Sequence, residues 1–572
     1  MGCWQFLALF VSLSVTIIYG AVISDDGDVA EQGLYSKSDH VIILTGRNFG
    51  RKIYAKPYAQ VVQFYSSGCG HCRAFSPKFK TLASEVIPWQ KVVRLAVIDC
   101  ANEDNLDACR DFQVMAYPTI RFLHEQFLQG PNNIGQKIQI PDTVEKLKGN
   151  IISNLQAEQQ SGRLATAPSL AIGYYNNYAE AFRDVPNNIL HYFLIFENAN
   201  STVGSELILD MIDYKDVHVK RVYDNCDLAS IAQITHSPGL VVVSKPTLQP
   251  SNLTPNVASK QNVVKAITRY LISKNYVFPV VIQDLDPNTH DYHDKKRPAV
   301  DADIVYYADI EKALKTILTT EIPRYNSYSL EQLEAMSKFL EVVRDNYPYR
   351  GNDALRSYLV ELLGTIRYNS NWNGKDLHSL VRNLEAKHRP FRSNDSDYIG
   401  CKGSQQSYRG FTCGVWTLFH TLTVGATSKS VAEGPKVLKA MHGYVKHFFG
   451  CTECSQHFQE MAAKNRLFDV KDNDKAVLWL WISHNEVNLR LAGDVTEDPE
   501  YPKIQFPSTT RCPACRLARG AWNLPVVYEY LLRIYGSNNI QDLKLNYNGI
   551  SSSSPLSNLD IGMLSVLLHM AA

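Results

Sequence analysis

Between residues 32 and 155 the chain alternates short apolar runs with stretches of helical period. "AQVVQFYSS" reads as a strand buried on both faces, "HCRAFSPKFKTLASEVI" as a helix, and "VVRLAVIDC" and "TIRFLHEQ" as further strands. This order predicts an α/β layer fold around a largely central sheet. A CGHC, Cys69 to Cys72, sits at the turn from strand into helix, and "MAYPTIRF" places Pro118 just before a strand. Residues 157–278 repeat the plan. "YFLIFENANSTVGSELILDMI" again runs strand into helix, and "ITHSPGLVVVS" echoes the proline-then-strand ending at Pro238. Where the first copy has CGHC, the second has an Asn-Ser-Thr sequon and no cysteine. A redox-silent second copy is the reading; an unrelated α/β domain is the alternative.

From about residue 279 the apolar period changes to that of helices. "SLEQLEAMSKFLEVVRDNYP" opens with Ser329 and Gln332 at capping-box spacing, and Leu330, Leu333, Met336, Leu340 and Val343 form one apolar face. "DALRSYLVELLGTIRY" does the same, and the polar "KHRPFRSNDSD" marks a boundary. Residues 400–536 are helical again. Cys413, Trp416 and His420 share a helix face, and Val437, Met441, Tyr444, Val445 and Phe448 form an apolar stripe ending at Gly450. A new helix begins at Cys451, with Cys454 and His457 one turn onward; another aligns Trp481, His484, Asn485 and Asn488. Trp, His and Asn converging near a CxxC would suit a flat cofactor with hydrogen-bonding edges.

At 572 residues the chain exceeds one core. Its 58 Lys+Arg against 57 Asp+Glu give +1, with no basic stripe, so nucleic-acid binding has no electrostatic support. The apolar run Phe6–Ile18, followed by Gly20 and Ala21, reads as a signal peptide over residues 1–21, too short for a membrane anchor. The C-terminal "IGMLSVLLHMAA" reads as a loose tail, with a lipid-anchor signal or a truncated membrane tail left open. Of twelve cysteines, ten fall into close pairs: Cys69/Cys72, Cys100/Cys109, Cys401/Cys413, Cys451/Cys454 and Cys512/Cys515. A secreted chain would hold such pairs as disulfides, leaving Cys226 as a buried free thiol. Sequons at Asn200, Asn252 and Asn394 agree with a secretory route.

The CGHC with its distant Tyr-Pro-Thr resembles thioredoxin and protein disulfide isomerase domains. That resemblance implies a cis Pro118 facing the dithiol, and Cys100/Cys109 looks like a disulfide stapling a neighbouring loop. "RGFTCGVWTLFH", "CTEC…H" and "WISHNEVN" closely resemble the flavin-binding signatures of Erv-type sulfhydryl oxidases, and the whole order is similar to the quiescin sulfhydryl oxidase family. The resemblance implies a multidomain α/β plus all-α chain: a redox-active thioredoxin domain (32–156), a redox-inactive one (157–278), a helical region (279–396), a helical-bundle FAD domain (397–540) and a tail (541–572). FAD contacts carried over by position fall on Arg409, Trp416, His420, Glu453, His457, Trp481, His484, Asn485, Val487, Asn488 and Lys503. Phe506 stands where the family often has tryptophan, which keeps a stacking face and loses the indole N–H. Cys401/Cys413 would be the disulfide beside the flavin, and Cys512/Cys515 a further structural pair.

The implied chemistry is 2 R-SH + O2 giving R-S-S-R and H2O2, with electrons passing from Cys69/Cys72 to Cys451/Cys454, to FAD and to O2. A thiolate is the nucleophile, and a CxxC cysteine at a helix N-terminus has its pKa lowered. Cys69 is expected to be the exposed member, and His71 to stabilise its thiolate. Cys451 is expected to be the outer sulfur and Cys454 the one beside the flavin. Reduced secretory or extracellular proteins are the expected substrates, in the Golgi and outside the cell, with no metal and no membrane association expected. An isomerase or chaperone without oxidase activity shares the CGHC but not the C-terminal signatures. A zinc site from Cys451, Cys454, Cys512 and Cys515 would need a gap far longer than a zinc ribbon's.

Overall fold

The computed structural model describes residues 33–542 apart from 165–166, 187, 246–248, 258, 280–302, 393–396, 406 and 519. The expected signal peptide, most of the tail, Asn394 and most of the joint after residue 278 therefore lie outside the described residues.

Two five-stranded sheets are built to one plan. The first runs β1 (Ile42–Leu44), β3 (Val93–Asp99), β2 (Ala59–Tyr65), β4 (Thr119–Leu123), β5 (Gln136–Ile138), parallel across its first three strands and antiparallel beyond. Every residue of β2 is buried, as befits a central strand; its two glutamines are hydrogen-bonded there, Gln60 donating to Ile53 O at 2.7 Å and Gln63 accepting from the Tyr35 hydroxyl at 2.5 Å. The second runs β10 (Pro250–Asn252), β9 (Gly239–Ser244), β7 (His191–Glu197), β8 (Val217–Tyr223), β6 (Ile172–Gly173). Here β7 pairs parallel with β8 and antiparallel with β9, as β2 pairs with β3 and β4. Both Tyr117–Pro118 and Ser237–Pro238 are cis and precede matching strands.

The equivalence explains the silence of the second copy. β2 pairs Tyr65 with Asp99 and β7 pairs Glu197 with Tyr223. Counting onward from those strand ends puts Ser201 where the first copy has Cys69 and Gly204 where it has Cys72. Glu197, fully buried, accepts hydrogen bonds from the Ser201 hydroxyl at 2.6 Å and the Gly204 N–H at 3.0 Å. Its other oxygen takes Arg221, whose remaining N–H groups donate to Leu170 O and Ser201 O at 2.7 and 2.8 Å. An ion pair holds the turn that elsewhere carries the dithiol.

The helices from Tyr307 onward share one continuous core reaching from Val305 to Ile540, so the expected regions 279–396 and 397–540 are not separated by a break in packing. The two ends of this unit meet in a short parallel pairing of Val305–Tyr306 with Ile540–Gln541. Ser329 and Gln332 form the capping box. Leu333, Met336, Leu340 and Val343 are buried, but Leu330 is 77% exposed: at the first helical position it precedes the packed stripe.

Replacing Glu197 by Ala would leave Arg221 charged and unpaired in the second sheet. A loss of roughly 3–5 kcal/mol is expected. It should appear as an earlier urea transition of this domain, followed by proteolysis at the 198–204 turn.

Candidate functional site

The donor turn is set by the strand-to-helix junction after β2. Cys69 is the extended N-cap of the helix Gly70–Glu85, and its thiol reaches Tyr117 O, the carbonyl before cis-Pro118, at 3.8 Å. The Ser66 N–H donates to Cys72 Sγ at 3.5 Å. Cys69 and Cys72 are free thiols. The Cys69 thiol is held below its usual pKa, first by a hydrogen bond from Cys72 against the opposing cost of burial, then by the backbone N–H groups of Cys72 and His71 and by the Arg73 charge. Burial pushes the Cys72 thiol well up. One cysteine is thus prepared as thiolate and the other kept as proton donor.

Two expectations need correction. Cys69 is 6% exposed, not open, because the segment around Cys451 and Phe449 packs over it. The His71 imidazole does not serve the thiolate; its Nε2 pairs with Glu453 at 2.8 Å, and the side-chain cation acting on Cys69 is Arg73.

The acceptor lies directly opposite. Cys451 is the extended N-cap of the helix Thr452–Lys464 and is joined to Cys454, whose N–H donates to Cys451 Sγ at 3.3 Å. His71 and both bridge sulfurs have their ligand-type atoms within 4.8 Å of one another. The Tyr117 N–H donates to Gly450 O at 3.3 Å, so one residue touches both the donor thiol and the chain entering the acceptor bridge. Arg73 clamps the same face, donating to Ser407 O at 2.7 Å and Thr496 O at 3.1 Å and lying over Tyr408. A reduced dithiol therefore faces an oxidised bridge across a dry contact.

Behind the bridge, Trp416 stacks on His484 at 4.1 Å with the rings nearly parallel, and His420 stacks on Tyr535 at 4.6 Å. His420 Nε2 and His484 Nδ1 are 3.1 Å apart. Burial drives His420 down to about 3 and His484 well below its usual value, so both are neutral at working pH. His420 Nδ1 is buried with no partner among the described residues. Trp481 and Asn485 are committed to one loop: Trp481 Nε1 and Asn485 Nδ2 both donate to Phe506 O, at 2.6 and 2.8 Å, and Asn485 Oδ1 accepts the Phe506 N–H at 2.7 Å. Asn488 donates to Ile504 O at 3.1 Å, and Val487 packs at the core edge. Phe506 lies edge-on to Tyr530 before a cis Pro507.

Arg409 lies over the Tyr501 ring at 4.2 Å, and burial lowers its pKa. Lys503 keeps an exposed side chain, yet the surrounding protein and Arg409 push its ammonium down. Glu453 is engaged by His71, and His457 is exposed, 3.7 Å from Glu460. The donor set fits FAD. Neutral stacked rings with an orphaned ring nitrogen suit a flat heterocycle, and two crowded cations suit a pyrophosphate.

Cys100–Cys109, Cys401–Cys413 and Cys512–Cys515 are each joined, and Cys226 is a buried free thiol. Cys512 and Cys515 are 8% and 0% exposed inside the helical core, which denies them a thiol partner. The sequence reading missed Arg73, Tyr408 and Tyr535. Only Arg73, beside the CGHC, carried a readable signal.

Family models match four segments: thioredoxin over 40–145, a QSOX Trx-like domain over 174–249, FAD-dependent sulfhydryl oxidase over 301–404, and the Erv1 / Alr family over 413–507. Sulfhydryl oxidase 1 of Gallus gallus is 33% identical over 526 residues, 89% of this chain and 68% of that protein. Sulfhydryl oxidase 2 of Homo sapiens is 32% identical over 522 residues, 86% of this chain and 72% of that protein. A solved sulfhydryl oxidase fragment of human QSOX1 is 34% identical, covering 42% of this chain and 99% of its own, with a TM-score of 0.40.

The lowered Cys69 pKa predicts that alkylation of the reduced chain rises through a midpoint below the free-cysteine value of about 8.5. Replacing Arg73 by Met removes a cation that favours the thiolate, so the midpoint should move up. A mass-spectrometric pH profile of iodoacetamide labelling at Cys69 checks both. Joint replacement of Cys512 and Cys515 by Ala should leave turnover within about twofold and cost stability on the scale of a short-loop disulfide, about 2 kcal/mol, read as a lower melting midpoint.

Proposed function

This chain belongs to the quiescin sulfhydryl oxidase family, and from that premise we propose that its two dithiol sites relay electrons from protein thiols to a bound flavin. It is a FAD-dependent thiol oxidase that introduces disulfides into thiol-containing proteins. The observation that carries the relay is the burial of the Cys69 thiol against the Cys451–Cys454 bridge, with Tyr117 joining the two.

The first half of the cycle fills the dithiol. A substrate thiolate attacks Cys69 in a Cys69–Cys72 disulfide, and Cys72 leaves as thiolate. A second substrate thiolate then attacks the substrate's own sulfur in that mixed disulfide and releases Cys69. Substrate departs as R-S-S-R, and the chain keeps two electrons as the dithiol observed here.

The second half empties it. The Cys69 thiolate attacks Cys451 Sγ, the Cys451–Cys454 bond breaks, and Cys454 leaves as thiolate. Cys72, whose proton is taken up in exchange by the departing Cys454 sulfur, then attacks Cys69 as thiolate, closing Cys69–Cys72 and freeing Cys451. Each attack consumes a thiolate and each departure makes one. The helix N-termini beneath Cys69 and Cys451 stabilise the charge at both ends. Trp416, His420 and His484 would hold the flat rings of FAD, Arg409 and Lys503 its pyrophosphate, while Trp481, Asn485 and Asn488 fix the loop from Ile504 to Phe506 beside it. When bound, FAD supplies a two-electron acceptor for the Cys451/Cys454 dithiol and a route from there to dioxygen, which leaves as hydrogen peroxide.

Reduced proteins of the secretory pathway and extracellular space are the substrates in this reading, with the chain working in the Golgi and after secretion. Four disulfides among the described residues and the exposed sequon asparagines Asn200 and Asn252 support that setting. Among the described residues no helix is long and apolar enough to cross a membrane.

Purified protein should show a flavin absorbance band and release peroxide on adding dithiothreitol. Replacing Cys69 by Ser should abolish oxidation of a reduced protein while sparing slower oxidation of dithiothreitol at Cys451–Cys454. Equal loss of both activities would contradict the relay.

A further inference from the structure

Beneath the contact between the two sites lies a buried ion pair that takes no part in the exchange chemistry. Glu321 and Arg324 are 7% and 2% exposed, with Arg324 Nη1 and Glu321 Oε2 3.8 Å apart. Arg324 Nε and Nη1 make no hydrogen bond among the described residues. A loosely paired, incompletely satisfied buried charge contributes little to stability, and apolar residues of the same volume commonly do as well or better. Its presence calls for a geometric reason.

Its contacts supply one. The Gly450 N–H donates to Glu321 Oε2 at 2.7 Å, and Arg324 Nη2 donates to Phe448 O at 2.7 Å, so the pair grips the chain immediately before Cys451 from both sides. The neighbouring Tyr325 hydroxyl adds a bond to His447 O. The Arg324 guanidinium also lies over the Tyr117 ring at 5.6 Å. Tyr117 in turn donates to Gly450 O and accepts from the Cys69 thiol. Gly450 is squeezed between them: a Cβ there would sit 2.4 Å from Arg324 Nη1 and 2.8 Å from the Tyr117 ring. Glu321 ends a π-helical turn, Ile317–Glu321, a widening that recurs at functional sites.

We propose that Glu321 and Arg324 are positioning residues for the step between the two disulfides, holding the Gly450–Cys451 entry and the Tyr117–Pro118 turn in one frame so that Cys69 meets Cys451. The inference rests on the relay reading above. The pair touches no reacting sulfur; it fixes the two backbones that carry them. A displacement of about 1 Å between reacting groups can cost 10²-fold in rate. The pair therefore governs transfer between the sites and leaves untouched the entry of a small dithiol directly at Cys451–Cys454.

The test compares turnover of a reduced, unfolded protein with direct turnover of dithiothreitol in a Cys69→Ser background. Arg324→Met should lower kcat for the protein substrate at least tenfold with KM little changed. In the double variant with Cys69→Ser, dithiothreitol turnover and flavin content should stay within twofold of Cys69→Ser alone. Arg324→Lys, which keeps the charge but loses the planar fork, should recover part of the lost rate. Gly450→Ala keeps both charged residues but pushes the Arg324 guanidinium and the Tyr117 ring away from the Gly450–Cys451 entry; it should give the same selective loss, so it decides the matter if Arg324→Met is unstable. Equal loss of both activities in Gly450→Ala and Arg324→Lys, or wild-type protein turnover in Arg324→Met, overturns the inference. A Cys69→Ser chain that oxidises protein at the wild-type rate overturns the relay itself, and the inference with it.

Discussion

Thiol–disulfide exchange requires the attacking sulfur to line up with the bond it breaks, and a flavin fixed in a helical core cannot come out to meet a protein thiol. The chain meets this requirement with two helix N-termini set against each other, one capped by Cys69 and the other by Cys451. The contact is dry: Cys69 and Cys451 are 6% and 5% exposed. Burial has a direct consequence. A bulky substrate has no access to Cys69 in this arrangement, so the relay proposed above requires the two faces to separate once in every cycle. The contacts that close it are suited to reversal: the His71–Glu453 pair is substantially exposed, and Arg73 binds backbone carbonyls.

The electrostatics of the two faces prepare different things: the donor face readies the attacking sulfur, and the flavin face is kept free of imidazolium charge. On the donor side, N–H groups, Arg73 and the Cys72 thiol all favour a thiolate at Cys69, while burial keeps Cys72 protonated. On the flavin side, the two imidazoles next to Trp416 are forced neutral by burial. They therefore add no positive charge near the bridge and act as ring surfaces with hydrogen-bonding edges.

Much of this was legible along the chain. The β-rich, mostly apolar text of β2, the capping box at Ser329 and the stripe from Val437 to Phe448 each dictated an element by local rules. The repeat of the thioredoxin plan was visible in strand order and in Pro118 and Pro238. What filled the silent turn was not, because the Glu197–Arg221 pair joins residues far apart in sequence. Leu330 misled because period alone does not distinguish the first helical position, which overhangs solvent, from the packed stripe behind it. His71 misled for a related reason: adjacency to the dithiol suggested a partner that the fold directs to Glu453. Of the flavin signatures, Trp481 and Asn485 hydrogen-bond the Phe506 loop, a contact set by tertiary approach that their spacing did not show.

The pairing of Cys69 with Cys451 can be tested by freezing the exchange. In a chain with both Cys72→Ser and Cys454→Ser, neither resolving sulfur remains. Incubation in an oxidised glutathione buffer, followed by non-reducing digestion and mass spectrometry, should then yield a peptide pair linked through Cys69 and Cys451. Recovery of these two cysteines only as separate glutathione adducts would contradict the account.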